Sequence, residues 1–151
     1  MGFPYESLTS TVITSTAAFS ANQVMGTGVQ SFATPPFGGF VQGININLNS
    51  TNANQVDFCV FTSSMPNTTF TDHSSIAISS ADFASMGPVV NVTNWAYMGT
   101  NAVAGYAGGL AYPFYKSHSA TEARMFWALV ARGAVTVNST NGISVTITYI
   151  S

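Results

Sequence analysis

The sequence contains very little charge. Only 5% of its residues are Asp, Glu, Lys or Arg, whereas an ordinary globular domain has roughly 25%. Ser, Thr and Asn supply the polarity instead, and the formal net charge is −2. A surface of neutral polar groups can be buried against another protein without the desolvation cost of unpaired charges. The composition therefore favours a subunit of an assembly over a free-standing enzyme.

Basic residues and long apolar runs are scarce as well. Lys116, Arg124 and Arg132 are the only basic residues, and they do not cluster. A nucleic-acid-binding surface needs a basic patch, and so does electrostatic binding to a membrane. No apolar run is long enough to span a bilayer, and the N-terminal segment lacks the basic and apolar regions of a signal peptide. We therefore expect neither a nucleic-acid partner nor a membrane partner.

Cysteine is limited to Cys59, which excludes an intramolecular disulfide. Cys59 lies in an apolar segment, which predicts a small buried side chain and not a catalytic thiol. Asp72 and His73 are adjacent, and we interpret Asp72 as a turn residue that bonds nearby backbone N–H groups. The chain has no nucleophile elbow, phosphate loop, dinucleotide fingerprint or set of metal ligands. We expect no enzyme activity, no catalytic residue, no cofactor and no metal site.

The chain is rich in the alternation that is typical of β-strands. Apolar residues alternate with Asn over 40–49 and with Ser or Thr from Ile143 to Tyr149. Val56–Phe61 is apolar on both faces, apart from Asp57, and predicts a central strand. Arg124–Ala131 fits a buried helix or a buried strand, and its aromatic residues favour the strand.

Weaker signals complete the prediction. Ser80–Ala84 predicts one helical turn with Ser79 or Ser80 as its N-cap. Residues 17–37 are rich in Gly, Ala, Ser and Pro, and we interpret them as a long excursion between the first two strands. Further strands are predicted at 8–16, 76–78, 89–92, 95–97 and within 101–115.

These patterns predict an all-β fold with less than about one-tenth helix and about eight strands. We expect one domain over residues 1–151, built as an antiparallel β-sandwich. Residues 1–39 would form an N-terminal strand or arm and a long loop, and residues 40–151 the core sandwich. A jelly roll and an immunoglobulin-like arrangement are the main choices of topology.

Two places are candidates for an interface. Arg132 follows the most apolar run of the chain, and its guanidinium must find acceptors either within the subunit or across an interface. Tyr112, Phe114 and Tyr115 flank Pro113, which favours an edge strand or a loop and therefore contact with a partner.

Several segments together carry a resemblance to a known family. In chain order they are Val56–Phe61, Thr69–Ser74, Ser79–Asp82, Leu129–Thr136 and Ile143–Ile147. In this order they resemble small virion proteins of tailed bacteriophages, of the capsid decoration or cement type. The resemblance covers residues 40–150, and the segment before it takes no part.

The resemblance implies a jelly-roll-like β-sandwich on the outer surface of a phage capsid, made in the cytoplasm of the bacterial host. Its partners would be the major capsid protein and further copies of itself, because such proteins often form homotrimers that stabilise the shell. The family carries no catalytic residues. The alternative is a receptor- or glycan-binding jelly-roll module of a phage fibre or tail, in which Trp95 or Tyr112 would hold a sugar together with loop Asn and Asp residues.

Overall fold

The computed structural model describes residues 5–33, 39–114 and 124–150. Within these ranges the chain forms twelve strands and one 3₁₀ helix, Ser80–Ser85. The strands are β1 (Tyr5–Val12), β2 (Ala18–Phe19), β3 (Gln23–Ala33), β4 (Gly39–Leu48), β5 (Val56–Phe61), β6 (Met86–Val92), β7 (Trp95–Tyr97), β8 (Val103–Ala107), β9 (Tyr112–Phe114), β10 (Arg124–Ala131), β11 (Val135–Thr136) and β12 (Ile143–Ile150). None of the described residues form a helix long and apolar enough to cross a membrane.

Two antiparallel sheets pack against each other. The first has the order β1-β12-β4-β8-β7, with β9 also paired to β4, and the second has the order β3-β10-β5-β6. Strands β2 and β11 form a small additional sheet. The prediction of an all-β antiparallel sandwich is confirmed. The helical turn also lies where it was predicted. Ser79 is its N-cap, and the Ser79 side chain accepts a hydrogen bond from the Ala81 N–H.

The eight strands of five or more residues pair in a nested way. Taken in chain order, the first pairs with the eighth (β1 with β12), the second with the seventh (β3 with β10), the third with the sixth (β4 with β8), and the fourth with the fifth (β5 with β6). This is one long antiparallel ribbon folded over on itself. The pairs β12–β4 and β10–β5 then join its parts into the two sheets.

The core lies between the two sheets and follows the alternation in the sequence. Ile143, Val145 and Ile147 of β12 are fully buried, whereas the Ser and Thr residues between them face outwards and are half-buried. In the second sheet, Trp127 lies between the rings of Phe32 and Phe58, with centroid distances of 5.1 Å on each side. Strands of the two sheets therefore contribute to one apolar layer.

The second sheet is covered on its outer face as well. Val24, Cys59 and Phe61 point away from the sandwich interior and pack with Met65 and Phe70 of the segment that joins β5 to the 3₁₀ helix. This explains why all six residues of β5 are buried. The segment acts as a third layer against the outer face of the second sheet.

The interpretation of residues 17–37 as a long excursion is wrong. Residues 18–19 and 23–33 form β2 and β3. With 11 residues β3 is the longest strand that the structure describes, and it pairs with β10 from Gln23 to Ala33. The glycines that suggested a loop lie inside β3, where Gly26 and Gly28 have positive φ angles. Main-chain hydrogen bonds to β10 do not require particular side chains, so a strand can form despite the loop-like composition.

Two smaller expectations also need correction. Ile76–Ile78 is not a strand, although the preceding Ser75 forms an isolated bridge with Gln23. The predicted strand within 101–115 is divided into β8 and β9, because Gly108 and Gly109 lie between them. Gly109 has a φ of +67°, a conformation that suits a turn.

Candidate functional site

Arg132 directly follows β10 and lies beside the central strand β5. Asp57 of β5 faces the outer side of the second sheet and is 3% exposed. Arg132 Nε donates to Asp57 Oδ2 at 2.5 Å, and Nη1 donates to Asn22 Oδ1 at 2.6 Å. The guanidinium therefore joins two adjacent strands to the turn that precedes β3. The two acceptors, Asp57 and Asn22, belong to the same subunit as Arg132, so these bonds do not cross an interface.

Asp57 is held in its charged form by its neighbours. Burial raises the pKa of this carboxyl. Hydrogen bonds from Gln55, Arg132 and Asn91, together with the charge of Arg132, lower the pKa by more than burial raises it, so the net pKa is below its usual value. The two amide donors lie 2.9 Å (Gln55 Nε2) and 2.7 Å (Asn91 Nδ2) from Oδ1. The pair is a satisfied internal ion pair and not an acid–base couple.

Arg132 also lies on the wall of a pocket. The pocket has a volume of about 140 Å³, and apart from Arg132 it is lined by Cys59, Val60, Phe61, Ile76, Ile78, Met86, Gly87 and Val89. The Arg132 side chain is 32% exposed, and Met86 and Val89 are each 43% exposed. An arginine at the edge of an apolar pocket is a common feature of protein interfaces.

Cys59 contributes no reactivity to this pocket. Burial raises the pKa of its thiol to about 12, and the nearby charge of Asp57 acts in the same direction. The thiol therefore stays protonated at neutral pH, and only the thiolate is a nucleophile. The prediction of a small buried side chain is confirmed.

The aromatic candidates lie at another place in the fold. Tyr112 and Phe114 belong to β9, which pairs with the start of β4, opposite Val41 and Gly39. Tyr115 lies outside the described residues. β9 pairs with β4 alone among the strands that the structure describes, which agrees with the expected edge position. Arg132, on the second sheet, is not brought together with these residues.

Asp72 and His73 form a cluster that connects distant segments. Asp72 accepts from Thr14 Oγ1, the Ser15 N–H and the Gly26 N–H, each at 2.7 Å. Burial raises the pKa of Asp72, but these hydrogen bonds and the proximity of His73 lower it more strongly, so the net pKa is below its usual value. Asp72 does bond backbone N–H groups, as predicted, but the donors are far away in the sequence and not nearby.

The same cluster contains Ser15, yet it lacks the geometry of a catalytic triad. His73 Nδ1 lies 3.0 Å from Asp72 Oδ2 and 3.4 Å from Ser15 Oγ, whereas Nε2 lies 2.8 Å from the carbonyl oxygen of Ala17. A triad requires the carboxylate and the nucleophile on different ring nitrogens. The ring also stacks on Phe19 with a centroid distance of 3.7 Å. The cluster is an anchor for residues 14–19.

Asp82 has a comparable anchoring role. It accepts from the Asn67 N–H at 2.9 Å, from Asn67 Nδ2 at 3.0 Å and from Thr68 Oγ1 at 2.7 Å. Burial raises its pKa, but the hydrogen bonds from Thr68 and Asn67 outweigh this effect and lower it. The carboxylate thereby fixes the 3₁₀ helix to the segment that covers the second sheet.

Sequence reasoning missed the exposed apolar side chains of the 3₁₀ helix and β6, two of which, Met86 and Val89, line the Arg132 pocket. Phe83 in the 3₁₀ helix is 71% exposed, and Met86 and Val89 follow it on β6. The sequence shows that 86–92 carries apolar residues on both faces, but only the strand order shows that β6 lies at an edge, where part of them stays exposed.

Within the described ranges, no three His, Cys, Asp or Glu side chains come together as a metal site would require. Comparison of the chain with protein-family models, with curated proteins and with solved structures gave no match.

Proposed function

We propose that the chain is a structural, non-enzymatic virion protein that decorates and stabilises the outer surface of a tailed-phage capsid by binding the major capsid protein. The observation that carries this proposal is the internal use of charge. Each charged side chain in the described ranges has a hydrogen-bond partner within the chain. Glu6 and Arg124 are exposed residues, but they are few, and the surface of the described ranges is mostly neutral.

The partners of the charged groups are as follows. Three aspartates form the internal networks described above, and Arg132 belongs to one of them. Glu6 accepts from Tyr149 Oη at 2.5 Å, and Arg124 Nη1 donates to Ser31 Oγ at 2.9 Å. A surface that keeps so few free charges loses little solvation when another protein covers it. This favours permanent assembly over independent existence.

We assign capsid binding to the apolar pocket beside Arg132. Met86 and Val89 line the pocket and provide exposed apolar area, and the pocket offers a recess that an apolar side chain of the capsid protein can fill. Interfaces gain most of their affinity from a few such anchors in pockets. The patch lies on the outer side of the second sheet, where β6 is the edge strand.

Our proposal includes a jelly-roll topology. The nested pairing of the eight long strands supports it, because folding one antiparallel ribbon into two packed sheets is how two successive Greek keys arise. Sheets of this kind form many virion subunits, but the same architecture also hosts unrelated functions. The topology therefore supports the fold side of the proposal, and the neutral surface supports the assembly side.

The decoration function includes self-association, and we propose a homotrimer. The trimer comes from the family resemblance, whereas the neutral surface supports association in general. Because the contacts would be largely uncharged, changing the salt concentration should have little effect on assembly. Sedimentation equilibrium at low and high salt measures this directly. A stable monomer at micromolar concentration would contradict the trimer and leave capsid binding to be judged separately.

Capsid binding is tested with purified heads of the encoding phage that lack the protein. Val89→Lys and Met86→Lys place a charge on the apolar patch, and Ile13→Lys places the same charge at a 70% exposed site elsewhere. We expect wild type and Ile13→Lys to co-sediment with heads and the two patch variants to stay in solution. Equal binding of all four proteins would contradict the patch, and no binding by wild type would contradict the function.

A further inference from the structure

A second pocket lies at the opposite side of the sandwich, and its lining has an unusual composition. It has a volume of about 330 Å³ and lies where β4 and β12 of the first sheet meet two loops. Leu48, Ala102 and Gly142 form part of the wall. The polar lining consists of four asparagines and two serines, and these are Asn47, Asn49, Asn101, Asn141, Ser139 and Ser144.

The chemistry of this lining restricts the class of ligand. Among the residues that the structure describes, no charged one lines the pocket, so they offer neither the basic groups that an anion needs nor the carboxylates that a cation needs. Each Asn side chain presents one carbonyl acceptor and two N–H donors, and each Ser hydroxyl can donate and accept. A neutral ligand with several hydroxyl groups matches such a surface, because every hydroxyl also donates and accepts.

The main chain holds the pocket walls in place. The Asn49 N–H donates to the Gly142 carbonyl at 2.7 Å, and the Asn138 N–H donates to the Asn49 carbonyl at 2.7 Å. On the other side, the Met98 N–H donates to the Ala102 carbonyl at 2.8 Å. The first two bonds tie the loop before β12 to the residue after β4, and the third closes the loop between β7 and β8. A preformed site loses less entropy on binding than one that must be ordered.

The side chains in the pocket keep free hydrogen-bonding capacity. Asn47 and Asn141 are exposed, and neither side chain has a hydrogen bond to another described residue. Asn47 and Ser144 are cross-strand partners, so their side chains stand next to each other on the outer face of the first sheet. The Asn49 amide reaches Ser139 Oγ only at 3.4 Å. Donors and acceptors are therefore available to a ligand.

We propose that this pocket, hereafter the amide pocket, binds a neutral saccharide. Its volume lies near the lower end of the range of small-molecule sites, roughly 300–1,000 Å³, which fits a mono- or disaccharide. The site differs from the one expected from aromatic residues, since Trp95 is half-buried against Gly105 and no aromatic side chain of the described ranges lines the amide pocket. Recognition here comes from amides and hydroxyls. The capsid-binding patch is on the other sheet, so both surfaces can be occupied at once.

The test is a titration of isotope-labelled protein followed by NMR. Maltose, lactose, cellobiose and N,N′-diacetylchitobiose are added separately to millimolar concentration, with glycerol as a non-saccharide polyol. We expect at least one disaccharide to shift the side-chain amide signals of Asn47 and Asn141 in a saturable manner. Glycerol should not reproduce the shifts.

Two variants and one control locate the site. Asn47→Ala and Asn141→Ala each remove an amide from the pocket, and each should weaken binding by about tenfold. Asn94→Ala removes an exposed amide outside the pocket and should leave binding unchanged. Melting temperatures confirm that all three variants are folded, and if one is not, the other pocket variant decides.

The outcomes that overturn the proposal are distinct. Absence of saturable shifts with all four disaccharides would contradict it, and so would shifts that glycerol reproduces. Saturable binding that Asn47→Ala and Asn141→Ala leave unchanged would place the saccharide elsewhere and would likewise contradict the amide pocket. None of these results bears on capsid binding, which is measured with heads.

Discussion

At the scale of single residues, the inner and outer faces of β12 should differ in how strongly a charged substitution destabilises the fold. Ile147 of β12 is fully buried between the sheets, whereas the neighbouring Thr146 faces outwards and shares a 2.8 Å hydrogen bond with Thr9 across β1. The two positions have the same backbone environment. Their difference therefore isolates the effect of burial.

We predict that Ile147→Asp costs about 4 kcal/mol or more, because it removes a packed side chain and places an unpaired carboxylate in the core. Thr146→Asp should cost about 1 kcal/mol, through lost strand propensity and the lost hydroxyl pair. Thermal and urea unfolding of both variants measure the difference. Equal stability would show that the two faces are assigned in reverse.

The ion pair of Arg132 and Asp57 gives a second prediction at this scale. Arg132→Met should destabilise the fold by about 2 kcal/mol, because Asp57 would remain buried without its cation. The value lies at the low end for such pairs since solvent reaches Arg132, whose side chain is 32% exposed. Adding Asp57→Asn to Arg132→Met should restore part of the loss. Urea unfolding measures the free energy of unfolding of both variants. A double variant less stable than Arg132→Met would show that the unpaired charge of Asp57 is not the cause of the loss.

At the scale of elements, β3 depends on two glycines that differ in their surroundings. Gly26 has a φ of +97°, and a Cβ atom there would overlap the side chain of buried Val12. Gly28 has a φ of +79°, and a Cβ atom there would meet open space. Both positions therefore resist substitution through the backbone, but only Gly26 also does so through packing.

We predict that Gly26→Ala costs about 3 kcal/mol, from backbone strain plus displacement of Val12. Gly28→Ala should cost about 1 kcal/mol, from strain alone. Thermal unfolding of the two variants provides the comparison. If Gly28→Ala proved the more damaging, the close approach of β3 to β1 at Gly26 would not be the reason for glycine there.

At the scale of the whole molecule, acid should weaken the fold through its buried carboxylates. The pKa values of Asp57, Asp72 and Asp82 are all lower in the folded chain than the usual value. An acid with a depressed pKa stabilises the fold fully above the unfolded pKa, about 3.9 for Asp. This contribution is lost as the pH falls below that value and through the folded pKa.

We therefore predict that the free energy of unfolding is flat near neutral pH and decreases steadily as the pH falls below about 5. Asp72→Asn should make this decrease shallower, because one of the three linked carboxyls is gone. Urea unfolding between neutral and acidic pH provides the slopes. An unchanged slope in Asp72→Asn would exclude Asp72 as a contributor.

The sequence alone determined the class of the fold and the inward face of the strands. The alternation from Ile143 to Tyr149 and the apolar segment Val56–Phe61 are local properties, and a strand's side chains must follow a period of two wherever the strand lies. The near-absence of charge likewise predicted a surface suited to association. The exception was β3, whose glycine-rich composition conceals a strand that only its pairing with β10 specifies.

The tertiary structure decided which side chains meet. Arg132 and Asp57 are 75 residues apart, and Asp72 and Ser15 are 57 residues apart, so no local pattern could have joined them. The amide pocket also depends on the tertiary structure, since Asn47 and Asn141 lie together only because β4 and β12 are neighbours in the first sheet. Strand order arises from the packing of the whole chain, and it is strand order that converts scattered polar residues into sites.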